Sequence, residues 1–191
     1  MNRPVILVDL DNVVYDFVQA FADMLVKRGA VGFASTSKSL MQKYRSWNIW
    51  EDWDIPKGEF MRYWRLGIEQ GDIYANGPLI PGAREALWQL SDAEWDIQVV
   101  TNRLSKFGLH DTIAANTVHW LHENNIPYRG LHLTANKRIP AEAIVDDRLD
   151  NMSEYQEKHF HFPAQHHLKR NVSPQEQIEY WQRLVTELTV G

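Results

Sequence analysis

The sequence predicts an α/β fold, a three-layer arrangement on a parallel sheet with a small helical cap inserted after the first strand. Strand-like apolar runs alternate with helical periodicities over most of the chain, the pattern of βαβ units. Three of these runs stop at polar or acidic residues: Val5-Ile6-Leu7-Val8 at Asp9, Ile97-Gln98-Val99-Val100 at Thr101-Asn102-Arg103, and Ala143-Ile144-Val145 at Asp146-Asp147. The stretch from about Phe33 to Asn76 lacks strand alternation and mixes charges with rings, as a helical insertion would.

Each element follows from local pattern. Val5 to Val8 are apolar and mostly β-branched, which suits a strand buried on both faces. Val13, Val14, Phe17, Val18, Phe21, Met24 and Leu25 then recur at helical spacing, and Gly29 and Gly32 mark the end of that helix. Pro78-Leu79-Ile80-Pro81-Gly82 returns the chain to the main body, ahead of a helix with Ala83, Ala86, Leu87 and Leu90 on one face. A strand at Ile97 to Val100 follows, then a helix through Ile113, Thr117, Trp120 and Leu121, a short strand at Leu131 to Leu133, and a strand at Ala143 to Val145. His159-Phe160-His161-Phe162 alternates like a fifth strand, with His166 and His167 expected in a loop. The tail opens on Ser173-Pro174-Gln175-Glu176, an N-cap serine with proline at the first helical position and a glutamate placed for a capping box. The expected division is a core of residues 1–17 and 77–191 and a cap of residues 18–76.

At 191 residues the chain suffices for one domain with a substantial insertion. A net charge of −5 argues against a broad cationic footprint for duplex nucleic acid. Having no cysteine, the chain makes no disulfide and does no thiol chemistry. Its N-terminus has one basic residue, Arg3, before a strand-length run broken by acids, which supports neither a signal peptide nor a membrane span. A soluble, cytoplasmic protein is expected, and a homodimer is left open.

Open α/β sheets bind ligands outside the carboxyl ends of their strands. With parallel strands those ends share one edge, where Asp9, Asp11, Thr101, Asp146 and Asp147 would converge with nearby cations. An Asp-x-Asp pair alone also occurs in turns, Ca²⁺ loops and Mg²⁺ nuclease sites. A phosphate ester repels an approaching carboxylate, so an aspartate can attack it only where a cation draws the two together. Mg²⁺ usually takes one or two carboxylates with waters and substrate phosphate, which these acids can supply.

The ordered set of D-L-D-N-V, Thr101, Lys137 and D-D resembles the haloacid-dehalogenase superfamily of phosphotransferases, from Val5 to about Asp150. The resemblance implies that family's Rossmannoid core. It also implies that Asp9 is the nucleophile forming an aspartyl-phosphate, and that Asp11 protonates the leaving oxygen and later activates water. The metal would be Mg²⁺, with Asp9, the Asp11 backbone carbonyl, Asp146 and Asp147 around it. Alternation along a strand favours Asp147 as the direct ligand. Thr101 matches the hydroxyl that hydrogen-bonds the phosphoryl oxygen, with Asn102 and Arg103 beside it on the substrate. Lys137 matches the lysine that neutralises phosphate and nucleophile, with Arg138 as its rival. Family members that resemble dehalogenases lack the second acid, so Asp11 favours phosphate-ester hydrolysis.

Within the superfamily, D-L-D-N-V-V-Y-D-F, P-L-I-P-G-A, L-T-A-N-K and I-V-D-D-R look most like the 5′(3′)-deoxyribonucleotidases. That resemblance implies a small-molecule phosphate ester as partner, a deoxynucleoside monophosphate, with Phe17 and rings of the cap around the base. Eight tryptophans are present, and Trp47, Trp50, Trp53 and Trp64 fall in one segment. Trp47 and Trp50 are nominated for stacking, although such rings equally fill a small helical core. Three positions depart from the family pattern: Asn12 stands for glycine, Asn102 for serine, and Thr117 for a second lysine whose loss weakens the electrostatic match. The rival readings are a phosphatase of a nucleic-acid 3′-phosphate or a sugar phosphate, and a silent nucleotide-binding protein, which would have no need for both Asp9 and Asp11. His159, His161, His166 and His167 lack acids or cysteines at the spacing of a zinc site.

Overall fold

A computed structural model describes residues 3–32, 35–103 and 107–190. Phe33, the expected start of the insertion, lies outside the described residues. The strands are β1 (Val5–Val8), β2 (Asp96–Thr101), β3 (Gly130–Leu133), β4 (Ala141–Asp146) and β5 (Gln156–His161). They form one sheet in the order β3-β2-β1-β4-β5, and every pairing is parallel. The helices are α1 (Phe17–Lys27), α2 (Ser37–Lys43), α3 (Ile49–Asp52), α4 (Lys57–Glu69), α5 (Ala83–Asp92), α6 (His110–Glu123), α7 (Gln165–Leu168) and α8 (Pro174–Thr189), with a 3₁₀ turn at Leu149–Asn151.

β1 is central, and its side chains divide between the two faces of the sheet. Ile6 and Val8 join the main core with Ile97, Val99, Ala143 and Val145, under residues of α1, α5, α6 and α8. Leu7 packs with Val100 and Ile144 on the other face, under a thinner cover that includes Ile139 and Met152 from the connecting segments. Full burial on both sides explains why this strand is an unbroken apolar run. Helices α2, α3 and α4 lie between α1 and α5 in sequence, and α1 packs against both α2 and α4.

The helix after β1 starts later than its apolar spacing predicts. Val13 and Val14 are buried but lie in a tight turn, in which the Leu10 carbonyl accepts from Val14 N at 3.0 Å and Tyr15 N at 2.8 Å. Asn12 takes φ 63 there, and Asp16 caps α1 by accepting from Gln19 N at 3.0 Å. This linker pairs with the returning one: Ile80 N donates to the Val14 carbonyl at 2.8 Å and Asp16 N to the Pro78 carbonyl at 3.0 Å. His166 and His167 form the short helix α7 rather than a loop, and His166 is buried. Ser173 and Glu176 make the reciprocal capping box of α8. Among the described residues no helix is long and apolar enough to cross a membrane.

Candidate active site

β1, β2 and β4 place their chemistry at one edge. The register sets Val8 beside Val99 and Val145, and Asp9 N donates to the Val145 carbonyl at 2.9 Å. Asp9 is therefore the first residue past the strand, level with Asp146 at the end of β4 and close to Thr101 at the end of β2. A cleft opens over this edge, lined by Asp9, Asp11, Thr101, Asn102, Lys137 and Asp147, with Phe17, Trp47, Trp64 and Tyr74 among its other walls.

Lys137 ties the acids together. Its Nζ donates to Asp9 Oδ1 and to Asp146 Oδ2, both at 2.6 Å, within a buried setting. Burial works against its charge, but attraction to Asp9 and Asp146 outweighs this and pushes Lys137 up to about 12. Arg138 is exposed, so Lys137 is the cation in contact with these carboxylates. Burial, reinforced by the nearby charges of Asp146 and Asp11, raises Asp9 to about 7 against the pull of Lys137. An isolated carboxylate would avoid ionising in this setting, whereas a bound cation would reverse the preference.

The late acids differ sharply. Asp146 is saturated: besides Lys137 it accepts from Arg148 N at 2.8 Å and from Asn151 Nδ2 at 2.9 and 3.0 Å. Asp147 faces the cleft, and its Oδ2 is buried without a hydrogen-bond partner. Burial, with the charges of Asp9 and Asp146, holds Asp147 well above the usual carboxylate range. One oxygen each from Asp9, Asp146 and Asp147 lie within 4.8 Å of one another. When ionised, the four carboxylates of Asp9, Asp11, Asp146 and Asp147 exceed the two buried cations Lys137 and Arg103 by two charges. An all-oxygen, doubly negative cluster with an unpartnered buried carboxylate oxygen fits a hard divalent cation.

Asp11 is held differently, by Arg103 and Thr101. Arg103 Nη2 donates to Asp11 Oδ1 at 2.7 Å and its Nε to both carboxylate oxygens, while Thr101 Oγ1 lies 3.4 Å from Oδ2. Arg103, expected as a substrate contact, does not line the cleft over the acids but walls the adjoining cavity. Its side chain is fully buried and committed to Asp11, with Nη1 donating to Thr117 Oγ1 at 3.1 Å. Thr117, expected as a missing cation, is instead the seat of one, so the site retains a positive charge there. Asn102 is exposed and lines the cleft.

Of the nominated rings, Phe17 and Trp47 line the cleft, and Trp47 stands half-exposed at its mouth with its ring 4.0 Å from that of His166. Trp50 does not line it. That ring packs on Phe60 at 5.6 Å and walls an adjoining cavity, because α3 turns it toward α4. The rings that sequence reasoning missed are Trp64 and Tyr74, which line both spaces. Trp64 lies 5.4 Å from Phe17 and donates its indole N–H to the Tyr74 hydroxyl at 3.3 Å. Arg148 and Asn151 were also missed, although both closely follow the acid pair in sequence.

The fold is shared with hydrolases of known structure. A hydrolase from Streptococcus pneumoniae TIGR4 superposes with a TM-score of 0.54 at 15% identity, covering 88% of this chain and 97% of that one. A haloacid-dehalogenase-like hydrolase from Burkholderia xenovorans LB400 gives 0.52 at 17% identity, covering 95% and 96%. In sequence, the chain is 30% identical over 155 residues to a Chlorobaculum tepidum protein named "Putative 5′(3′)-deoxyribonucleotidase", covering 80% of this chain and 74% of that protein. Residues 3–189 match the family described as 5′ nucleotidase, deoxy (pyrimidine), cytosolic type C. The chain is a hydrolase of phosphoric monoesters and belongs to this cytosolic type C deoxynucleotidase family.

Proposed function

We propose that the protein hydrolyses deoxynucleoside monophosphates to nucleoside and phosphate, with Asp9 as nucleophile and Mg²⁺ as cofactor. The observation that carries this reading is the placement of Asp9 beside Lys137 at the floor of a cleft walled by Phe17, Trp64 and Tyr74. The name of the Chlorobaculum tepidum relative supports the same substrate class. The family's description as cytosolic supports a cytoplasmic setting. Residues 18–76 act as the cap over a core of residues 1–17 and 77–191, closing the cleft to water.

Asp9 and Asp147 would hold Mg²⁺, together with the Asp11 backbone carbonyl and with Asp146 behind them; its charge lets a phosphate dianion approach a carboxylate. Lys137 adds positive charge beside the Asp9 oxygen it contacts. Asp9 forms a bond to phosphorus as the ester P–O bond breaks, and protonated Asp11 gives its proton to the departing nucleoside oxygen. Asp11 then takes a proton from water. The water oxygen bonds to phosphorus, the Asp9–phosphorus bond breaks, and free phosphate leaves. Thr101 and Asn102 donate hydrogen bonds to phosphoryl oxygens, and the rings stack on the base.

The test combines Asp9→Asn with a panel of deoxynucleoside and nucleoside monophosphates, 3′-phosphorylated oligonucleotides and sugar phosphates. The wild type should prefer deoxynucleoside monophosphates, and D9N should lose about a thousandfold or more in kcat while keeping its fold. Preference for sugar phosphates, or near-normal turnover by D9N, overturns the reading.

A further inference from the structure

The buried guanidinium of Arg103 is engaged through all three of its nitrogens. Its fork grips Asp11 through Nε and Nη2, and its third nitrogen, Nη1, donates to Thr117. Two rings pack beside it, with the guanidinium carbon 4.7 Å from the Tyr15 ring centre and 4.2 Å from that of Tyr74. Tyr15 belongs to the linker entering the cap and Tyr74 to the one leaving it. The Tyr15 hydroxyl donates to the Asn76 carbonyl at 2.8 Å and accepts from Tyr74 N at 3.0 Å. Gly77 completes the packing, because a Cβ there would come within 2.6 Å of the Tyr15 ring.

A buried charge is costly unless it is paired, and each nitrogen of this guanidinium is engaged by Asp11 or Thr117 while Arg103 lines the adjoining cavity and not the cleft over the acids. The contacts therefore assign it to Asp11. We propose that Arg103 is a positioning residue for proton transfer, fixing the Asp11 carboxylate against the tyrosines of both cap linkers. The proposal rests on the reading of Asp11 as the acid and base of the reaction. Arg103 keeps its own proton throughout; the proton that moves passes from Asp11 to the nucleoside oxygen and returns to Asp11 from water.

Leaving-group chemistry tests this. A deoxynucleoside departs as a strongly basic alkoxide and needs the acid, whereas p-nitrophenolate is a weak base and needs little help. Arg103→Lys keeps the charge and loses the fork, Arg103→Met loses both, and Asp11→Asn serves as reference. Because hydrolysis of the aspartyl-phosphate is common to both esters and needs Asp11 as base, the readout is release of the leaving group in a single turnover: Arg103→Lys and Arg103→Met should slow it on a deoxynucleoside monophosphate by about tenfold or more, the methionine variant further. Both should leave the single-turnover release of p-nitrophenolate within about threefold while lowering steady-state kcat on both esters, and D11N should show the same pattern more strongly. If R103M fails to fold, R103K carries the test. A single-turnover contrast in D11N but equal losses, or none, in the release of the two leaving groups by the Arg103 variants overturns the proposal alone. No contrast in D11N overturns the acid–base reading of Asp11 and the proposal with it.

Discussion

Asp147 Oδ2 and His166 Nε2 lie 3.7 Å apart, buried, and neither atom has a hydrogen-bond partner among the described residues. The other ring nitrogen, Nδ1, meets the Tyr44 hydroxyl at 2.9 Å. Burial lowers His166 to about 3, so the ring is neutral at ordinary pH and cannot compensate a charge on Asp147. Its Nε2 stands beside a carboxylate whose ionised form wants a cation. A carboxylate with an imidazole behind it in this way is suited to the metal-binding role proposed for Asp147.

Asp147→Asn should therefore abolish the binding of Mg²⁺ measured by calorimetry without substrate. The metal-free variant should also be more stable than wild type at neutral pH, by on the order of 1 kcal/mol or more, because it removes a buried group whose ionisation burial opposes. Unchanged Mg²⁺ affinity in D147N would dismiss Asp147 as a ligand.

The same physics gives a pH dependence for Asp9. Its folded value is raised from 3.8 to about 7, so the native state binds a proton over this range that the unfolded chain has already released. Its contribution to stability is intact near pH 4 and is lost as pH rises toward 7. Urea unfolding of metal-free wild type and D9N should show wild type losing stability relative to the variant across that window. Saturating Mg²⁺ should reverse the loss for wild type only. A difference that stays flat with pH would contradict the raised value.

Asn12 lines the cleft with φ 63, in the turn that starts at Leu10. Asparagine is among the few side chains that tolerate this conformation, which explains how it can stand where the resembled family has glycine. Asn12→Gly should change thermal stability by a few tenths of a kcal/mol, while Asn12→Ala should cost about 1 kcal/mol. Equal effects in a melting experiment would show that backbone conformation is not what the position selects.

These cases mark what the sequence makes legible. The strands could be read because burial on both faces demands continuous apolar runs, and their ends could be read because parallel pairing brings Asp9, Thr101 and Asp146 to one edge. Single residues whose role depends on packing could not. Val13 and Val14 fit a helical period but are buried in a turn, and Arg103, expected on the substrate, is buried beside Tyr15 and Tyr74. Trp50 and Trp64 had equal claims by composition. Only the orientation of α3 and α4 separates them.

That separation yields a ranking of the rings. Trp64 walls both the cleft and the adjoining cavity, Trp47 stands half-exposed at the cleft mouth, and Trp50 lines the adjoining cavity alone. Stacking of a base on an aromatic ring is worth roughly 1–3 kcal/mol, a factor of about five to a hundred and fifty in affinity. Trp64→Ala should raise KM for a deoxynucleoside monophosphate by about tenfold or more, Trp47→Ala by about three- to fivefold, and Trp50→Ala by less than about threefold. Since a sugar phosphate such as deoxyribose 5-phosphate has no ring to stack, its KM should move far less in all three variants. A large KM effect in W50A with little in W64A would move the base into the adjoining cavity. Equal effects on both esters would mean that the rings shape the cap without touching the base.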